Sequence, residues 1–146
     1  MINKILIPVD DSIIVRRLIK KLPNIFDITK MEIYLVYVSN PYPHRVYGES
    51  AMSDFYVGVK QHRDSNAAFA KKLFNSYKKF LEQAKTLELV HYLDEDIPSG
   101  IISAAKKNKV DLVVMASNRY SGIKSIILGN NVHDVIVNSK HPILVL

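Results

Sequence analysis

The sequence predicts an α/β domain: a doubly wound, open, five-stranded parallel sheet with helices on both faces. Three observations carry this. Apolar, β-branched runs recur along the whole chain. Several are continuous rather than alternating, as befits strands covered on both faces. Segments of helical periodicity lie between them, and a βαβαβαβαβ order with right-handed crossovers closes into such a sheet.

The strand runs are Lys4–Val9, Glu32–Val38, Glu88–Leu93, Asp111–Ala116 and Pro142–Leu146. In the first helix Ile14, Val15, Leu18, Ile19 and Leu22 share one face, and Arg16, Arg17, Lys20 and Lys21 occupy the other. Ser12 is its N-cap and Pro23 marks its end. The longest helix is expected from about Ser65 to Lys85. There Phe69, Leu73, Phe74, Tyr77, Phe80, Leu81 and Ala84 form an apolar stripe read as core. The third helix opens near Pro98, since proline is tolerated at a first helical position. Ile101, Ile102, Ala104 and Ala105 carry its apolar side. The fourth spans Val132–Ser139, with Val132, Val135 and Ile136 inward. Asn40–Arg63 reads as an irregular loop over one strand end, its aromatics serving a ligand, a partner or plain loop packing.

The 146 residues form one domain, 1–146, large enough to bury roughly 68–70% of the unfolded surface. Cysteine is absent, which excludes disulfides, thiolate metal sites and cysteine nucleophiles. The opening Met1–Pro8 is too short for a signal peptide, and no apolar run approaches the roughly 18 residues of a membrane span. The expectation is a soluble cytoplasmic protein. The net charge of +6 suggests nucleic acid, but the cations pair up along helix faces and no nucleic-acid motif accompanies them.

The conspicuous feature is a long connection after the fourth strand, Ser117–Leu128, leading to Gly129-Asn130-Asn131 and a helix. Connections between strand and helix usually take roughly 2–6 residues. A polar, glycine-punctuated segment that ends at free helix N–H groups suits a phosphate, and it reads here as a degraded phosphate-binding loop. In open α/β sheets ligands bind beyond the carboxyl ends of strands, where strand order reverses. Strand one ends there in Asp10-Asp11-Ser12. A carboxylate at that place accepts from a ribose hydroxyl or holds Mg²⁺; otherwise it caps the next helix. The expected division is that Ser12 or Asp11 caps and Asp10 points into the crevice.

These residues resemble the universal stress protein family over nearly the whole chain. The resemblance rests on Lys4-Ile-Leu-Ile-Pro-Val-Asp-Asp-Ser12, Asp111-Leu-Val-Val-Met-Ala-Ser117, Ser121-Gly122 with Leu128-Gly129, and His141-Pro-Ile-Leu-Val-Leu146. It implies strand order 3-2-1-4-5 (the adenine nucleotide alpha hydrolase-like arrangement) and usually a dimer. Some members bind ATP in the crevice and others do not. The ATP-binding members carry G-x-x-G, nine residues, then G-[ST]. On this chain those positions are Ala116, Arg119, Gly129 and Asn130, so only Gly129 is kept. Arginine at 119 either fills the phosphate space or supplies the charge itself. Asn130 keeps the capacity to cap. Pro8, Val9 and Asp10 match the positions that hold adenine and ribose, Val38 lines the adenine pocket, and Met115 is its floor. Ser117, Asn118, Arg119, Ser121, Asn130 and Asn131 stand where the glycine-loop amides would meet phosphate. The ligand implied is ATP or a related adenine nucleotide, with Mg²⁺ if bound.

The rival expectation is a dimeric interaction protein of the same family that binds no nucleotide. Either way the apolar terminal strand Pro142, Ile143, Leu144, Val145 and Leu146 lies at a sheet edge, and exposed edges need a cover. The resemblance implies that a second copy provides it. The histidines at 44, 62, 91, 133 and 141 show no metal-ligand spacing. His91 reads as packed in a strand, and His133 as a surface group or one facing the anion. No nucleophile elbow or intact P-loop is present, so at most slow ATP hydrolysis is expected.

Overall fold

The computed structural model describes residues 1–43, 52–117 and 129–146, the side chains of 52–55 excepted. Strands β1 (Lys4–Pro8), β2 (Glu32–Ser39), β3 (Thr86–Leu93), β4 (Leu112–Met115) and β5 (Ile143–Val145) form one sheet ordered β3-β2-β1-β4-β5. Every pairing is parallel. Helices α1 (Ile13–Ile25), α2 (Met52–Lys78), α3 (Ile97–Asn108) and α4 (Asn130–Asn138) cover it.

The continuous apolar runs are explained by where successive side chains go. Ile5 and Ile7 pack with Ile33, Leu35, Leu112 and Val114 against Val15, Leu18, Leu22 and Tyr77 of α1 and α2. Leu6, between them, joins Val36, Val38, Val113 and Met115 against Ile101, Ala104, Val132 and Val135 of α3 and α4. Successive strand residues point to opposite faces, so a strand buried on both must be apolar at every position. β3, at the edge, is only half-buried and mixes Glu88 and His91 into its run.

Local chemistry sets the helix ends. Ser12 Oγ accepts the Val15 N–H at 3.3 Å, the predicted cap of α1. Pro23 does not end α1. It lies inside the last turn, and the Phe26 N–H still reaches the Leu22 carbonyl at 2.9 Å. Asp96 caps α3 by accepting from the Ser99 N–H at 3.0 Å, with Pro98 in the first turn. α4 begins one residue after Gly129, so Gly129 rather than Asn130 is at the cap position, and no side chain bonds there. Ile136 is 41% exposed, not core.

The long second helix departs most from expectation. It starts at Met52, within the segment read as a loop, and stops at Lys78. Met52, Phe55, Tyr56 and Val59 do recur there at helical spacing, but the prolines at 41 and 43 and the glycines at 48 and 58 favour the loop reading. Beyond Lys78 the chain turns through three-residue hydrogen bonds, Phe80 N–H to Tyr77 O and Leu81 N–H to Lys78 O, each 3.0 Å. Leu81 is buried from that turn. Phe69 is 37% exposed and pairs with the Tyr37 ring at 5.3 Å. Residues 44–51 of the expected loop lie outside the described residues. Its start is held to α2: His62 Nε2 lies 2.8 Å from the Asn40 carbonyl, and Arg63 Nε donates to Pro41 O at 3.2 Å.

Asp111 fastens β4 to β1. Its carboxylate accepts the Asn3 and Lys4 N–H groups, each at 2.8 Å. Those two bonds, the Asn3 one first, hold its pKa below the ordinary carboxylate value. A lowered folded-state pKa stabilises above the unfolded value of about 3.9 and loses that contribution as pH falls through the folded value. Asp111→Asn should therefore be less stable than the parent at pH 7 in urea unfolding. The gap should shrink progressively below about pH 4; a gap independent of pH would contradict the assignment.

Gly100 lies where α3 presses on β2. A Cβ there would lie 2.5 Å from Val38 Cγ1 and 3.0 Å from Asp94 Cβ. Glycine to alanine inside a helix usually gains about 0.5–1 kcal/mol. Gly100→Ala should instead cost about 1–3 kcal/mol by overpacking, read from the urea midpoint at constant m-value.

Candidate functional site

β1 pairs with β2 on one side and β4 on the other, so connections leave its two flanks in opposite directions. That is the reversal point at which a parallel sheet opens a crevice. A cavity of about 570 Å³ lies there, floored by apolar side chains including Val9, Val36, Val38, Ile101 and Met115. Of the residues singled out in the sequence, Pro8, Val9, Asp10, Val38, Met115, Ala116, Gly129, Asn130 and Asn131 all line it.

Asp10 is its sole acidic residue among the described residues. Its position is set from both sides of the chain. One carboxylate oxygen accepts the Ser12 N–H at 2.8 Å, which shapes the turn into α1. Its carbonyl accepts the Tyr77 hydroxyl at 2.6 Å. Tyr77 is fully buried and reaches across from α2. Burial is the main cause that pushes its hydroxyl pKa up, so the proton stays on the donor. Among the described residues no group hydrogen-bonds the second Asp10 carboxylate oxygen.

Across the cavity α4 begins. The His133 N–H is the first of the helix to find a carbonyl, that of Gly129 at 3.0 Å. The preceding N–H groups have no partner within the helix, and they carry the positive end of the dipole. Gly129 has an ordinary negative φ of −60°, and a Cβ there would meet nothing within 4 Å. Its backbone does not require glycine; the missing side chain leaves room at the mouth.

Ser117 lies apart from this cavity. Its N–H donates to Leu146 O at 2.7 Å and its hydroxyl to the same oxygen at 3.0 Å. Asn118, Arg119 and Ser121 lie outside the described residues. Tyr37, Ile97, Ile101 and Val132 line the cavity without having been singled out. Ile97 was within reach of sequence reasoning, because the β3–α3 connection ends on the same carboxyl edge. His91 is packed as expected: its Nε2 lies 2.7 Å from Ser39 Oγ, and burial lowers its pKa. His133 is exposed and its Nδ1 lies 3.2 Å from Asp134 Oδ1.

A parallel sheet ordered 3-2-1-4-5 with one carboxylate and one helix start lining a switch-point crevice defines the class: an α/β protein of the doubly wound, open-sheet architecture. The family follows from comparison. The model of the universal stress protein family matches residues 1–146, and the chain belongs to that family. A universal stress protein of Methanocaldococcus jannaschii, MJ0531, is 28% identical over 144 residues, covering 99% of this chain and 81% of that protein. Among solved structures, MJ0577 shares the fold with TM-score 0.76 and 23% identity, covering 100% of this chain and 96% of the other. A universal stress protein from Archaeoglobus fulgidus in complex with dAMP has TM-score 0.63 and 17% identity, with 99% and 98% covered. One from Arabidopsis thaliana with AMP bound has TM-score 0.61 and 16% identity, with 99% and 90% covered.

The Tyr77 bond makes a specific demand. Tyr77→Phe removes one hydrogen bond and leaves the ring in place, so stability should fall by about 0.5–1.5 kcal/mol. The Asp10 carbonyl loses its tether in the same variant. Faster amide exchange at Asp11 and Ser12, with the rest of the sheet unchanged, is the expected signature.

Proposed function

We propose that this chain binds an adenine nucleotide in the crevice between β1 and β4 and acts as a regulatory domain in the response to stress. The observation that carries this is the composition of one cavity. Apolar floor, single carboxylate and helix start line one cavity, and these are the groups that adenine, ribose and phosphate in turn call for. Val38, Ile101 and Met115 supply an apolar slot for the base. Asp10 accepts from a ribose hydroxyl with its remaining oxygen. The first-turn N–H groups of α4 receive phosphate, with the room left by Gly129. Family members of the same fold that hold dAMP or AMP support the ligand class.

ATP is included among the ligands, with Mg²⁺ accompanying its phosphates and Asp10 as the nearby carboxylate. Asn118, Arg119 and Ser121 take part through the resemblance alone. The working form is a homodimer joined through β5, which is half-buried and pairs with β4 on one edge only among the described residues. The compartment is the cytoplasm. No described helix is long and apolar enough to cross a membrane, which accords with this.

Titration calorimetry with ATP and with AMP, each with Mg²⁺, tests the proposal. At 100 times Kd the ligand should raise unfolding stability by about 2.7 kcal/mol. Asp10→Asn should weaken binding about 10-fold or more, as expected when a hydrogen bond to a charged group is lost. Absence of binding by either nucleotide at millimolar concentration would leave the interaction-protein reading in its place.

A further inference from the structure

A second cavity, of about 360 Å³, lies along the outer flank of α1, where that helix meets the end of β5. Its described lining is Ile14, Arg17, Leu18, Lys21, Ile25, Ser117 and Leu146. Positions 14, 18, 21 and 25, with 17 beside them, fall on one ridge of a helix, since residues three and four apart are neighbours. The ridge is chemically divided. Ile14, Leu18 and Ile25 join Leu146 in an apolar surface, and Arg17 and Lys21 stand along its length.

Among the described residues the fold makes no use of the two cations. The described ion pairs involve Lys4, Lys30, Lys85 and His133, and none involves Arg17 or Lys21. The described cation–π contacts are made by Arg16, Lys20, Lys79 and Arg63, again not by these two. The Leu146 carbonyl oxygen is already engaged by the Ser117 N–H and hydroxyl. Ile25 is 46% exposed, although it belongs to the apolar side of the cavity. The volume is within the roughly 300–1,000 Å³ of small-molecule pockets. An occupant with a purely apolar body would leave two cations unanswered, and a small inorganic anion would leave the apolar floor wet.

We infer that this cavity is a binding site for a small amphiphilic anion: an aliphatic or aromatic body laid on Ile14, Leu18, Ile25 and Leu146, with a single carboxylate or sulfonate between Arg17 and Lys21. The occupant is the free acid rather than a lipid held in a membrane. The site is separate from the nucleotide crevice, with which it shares only Ile14 among the described residues, and it stands whether or not a nucleotide binds.

Anilinonaphthalene sulfonate reports such a site through its fluorescence, and decanoate below its micelle concentration competes for it. The native chain should show saturable probe binding that decanoate displaces and decanol does not. Arg17→Ala with Lys21→Ala should weaken the probe at least 10-fold; both side chains are exposed, so the fold is retained. Ile25→Glu, which keeps both cations, should weaken it comparably. Asp10→Asn should weaken nucleotide binding about 10-fold or more and leave the probe unaffected, which separates failure at one site from failure at the other. Equal binding by the double variant, displacement by ATP, or a signal that appears only with vesicles would overturn the inference. So would an affinity that falls as protein concentration rises and a second copy covers the cavity.

Discussion

The double flanking of β1 is the constraint from which the rest follows. A strand hydrogen-bonded to parallel neighbours on both edges, and roofed by helices on both faces, must be apolar throughout, and its chain must leave the sheet abruptly at its carboxyl end. The helices that follow β1 and β4 lie on opposite faces, α1 on one and α4 on the other, and the crevice opens between the two strand ends. Pro8 closes the ladder, Val9 makes one last bond to Val36 O at 2.9 Å, and Asp10 is the first residue free to serve anything else. The crevice is thus a by-product of topology before it is a property of any side chain.

The two clamps on β1 differ in kind. At its start Asp111 holds the strand through charge-assisted bonds to two N–H groups near the surface. At its end Tyr77 holds the loop through a neutral bond sheltered from water. The first responds to acid, the second does not over any ordinary range. Ser12 and the Asp10 carboxylate then convert the held loop into a helix start. The polar group nearest the crevice, Asp10, is positioned by two contacts that belong to the fold itself, from the Ser12 N–H and the Tyr77 hydroxyl.

Much of this was legible in the residues, and the parts that were not have physical reasons. Ile5, Leu6 and Ile7 announce a strand buried on both faces, and Ser12 announces the helix after it. The stripe from Leu73 to Tyr77 marks α2 correctly. Its first turns read as loop on the strength of Pro41, Pro43, Gly48 and Gly58, although Met52, Phe55, Tyr56 and Val59 repeat at helical spacing. Leu81 misleads in the opposite sense, since a buried side chain at helical spacing can be supplied by consecutive turns. Within the crevice, residues near the ends of β1, β2 and β4 were foreseeable from the carboxyl-edge rule and the resemblance. Ile101 was assigned to core, and it is both core and lining. Ser117 was grouped with the crevice by its place in the sequence. Its register beside β5 turns it toward Leu146. Ile14 and Leu18 looked like interior, Arg17 and Lys21 like solvent; only the helix in place shows that they share one hollow.

Ser117 makes the two ends of the molecule's business adjacent. Ala116 touches the crevice, and the very next residue grips the final one with both its amide and its hydroxyl. Ala116 and the open margin of the sheet are thus joined by a linkage one peptide long. The crevice and the unpaired border of the sheet are therefore neighbours in the chain as well as in space.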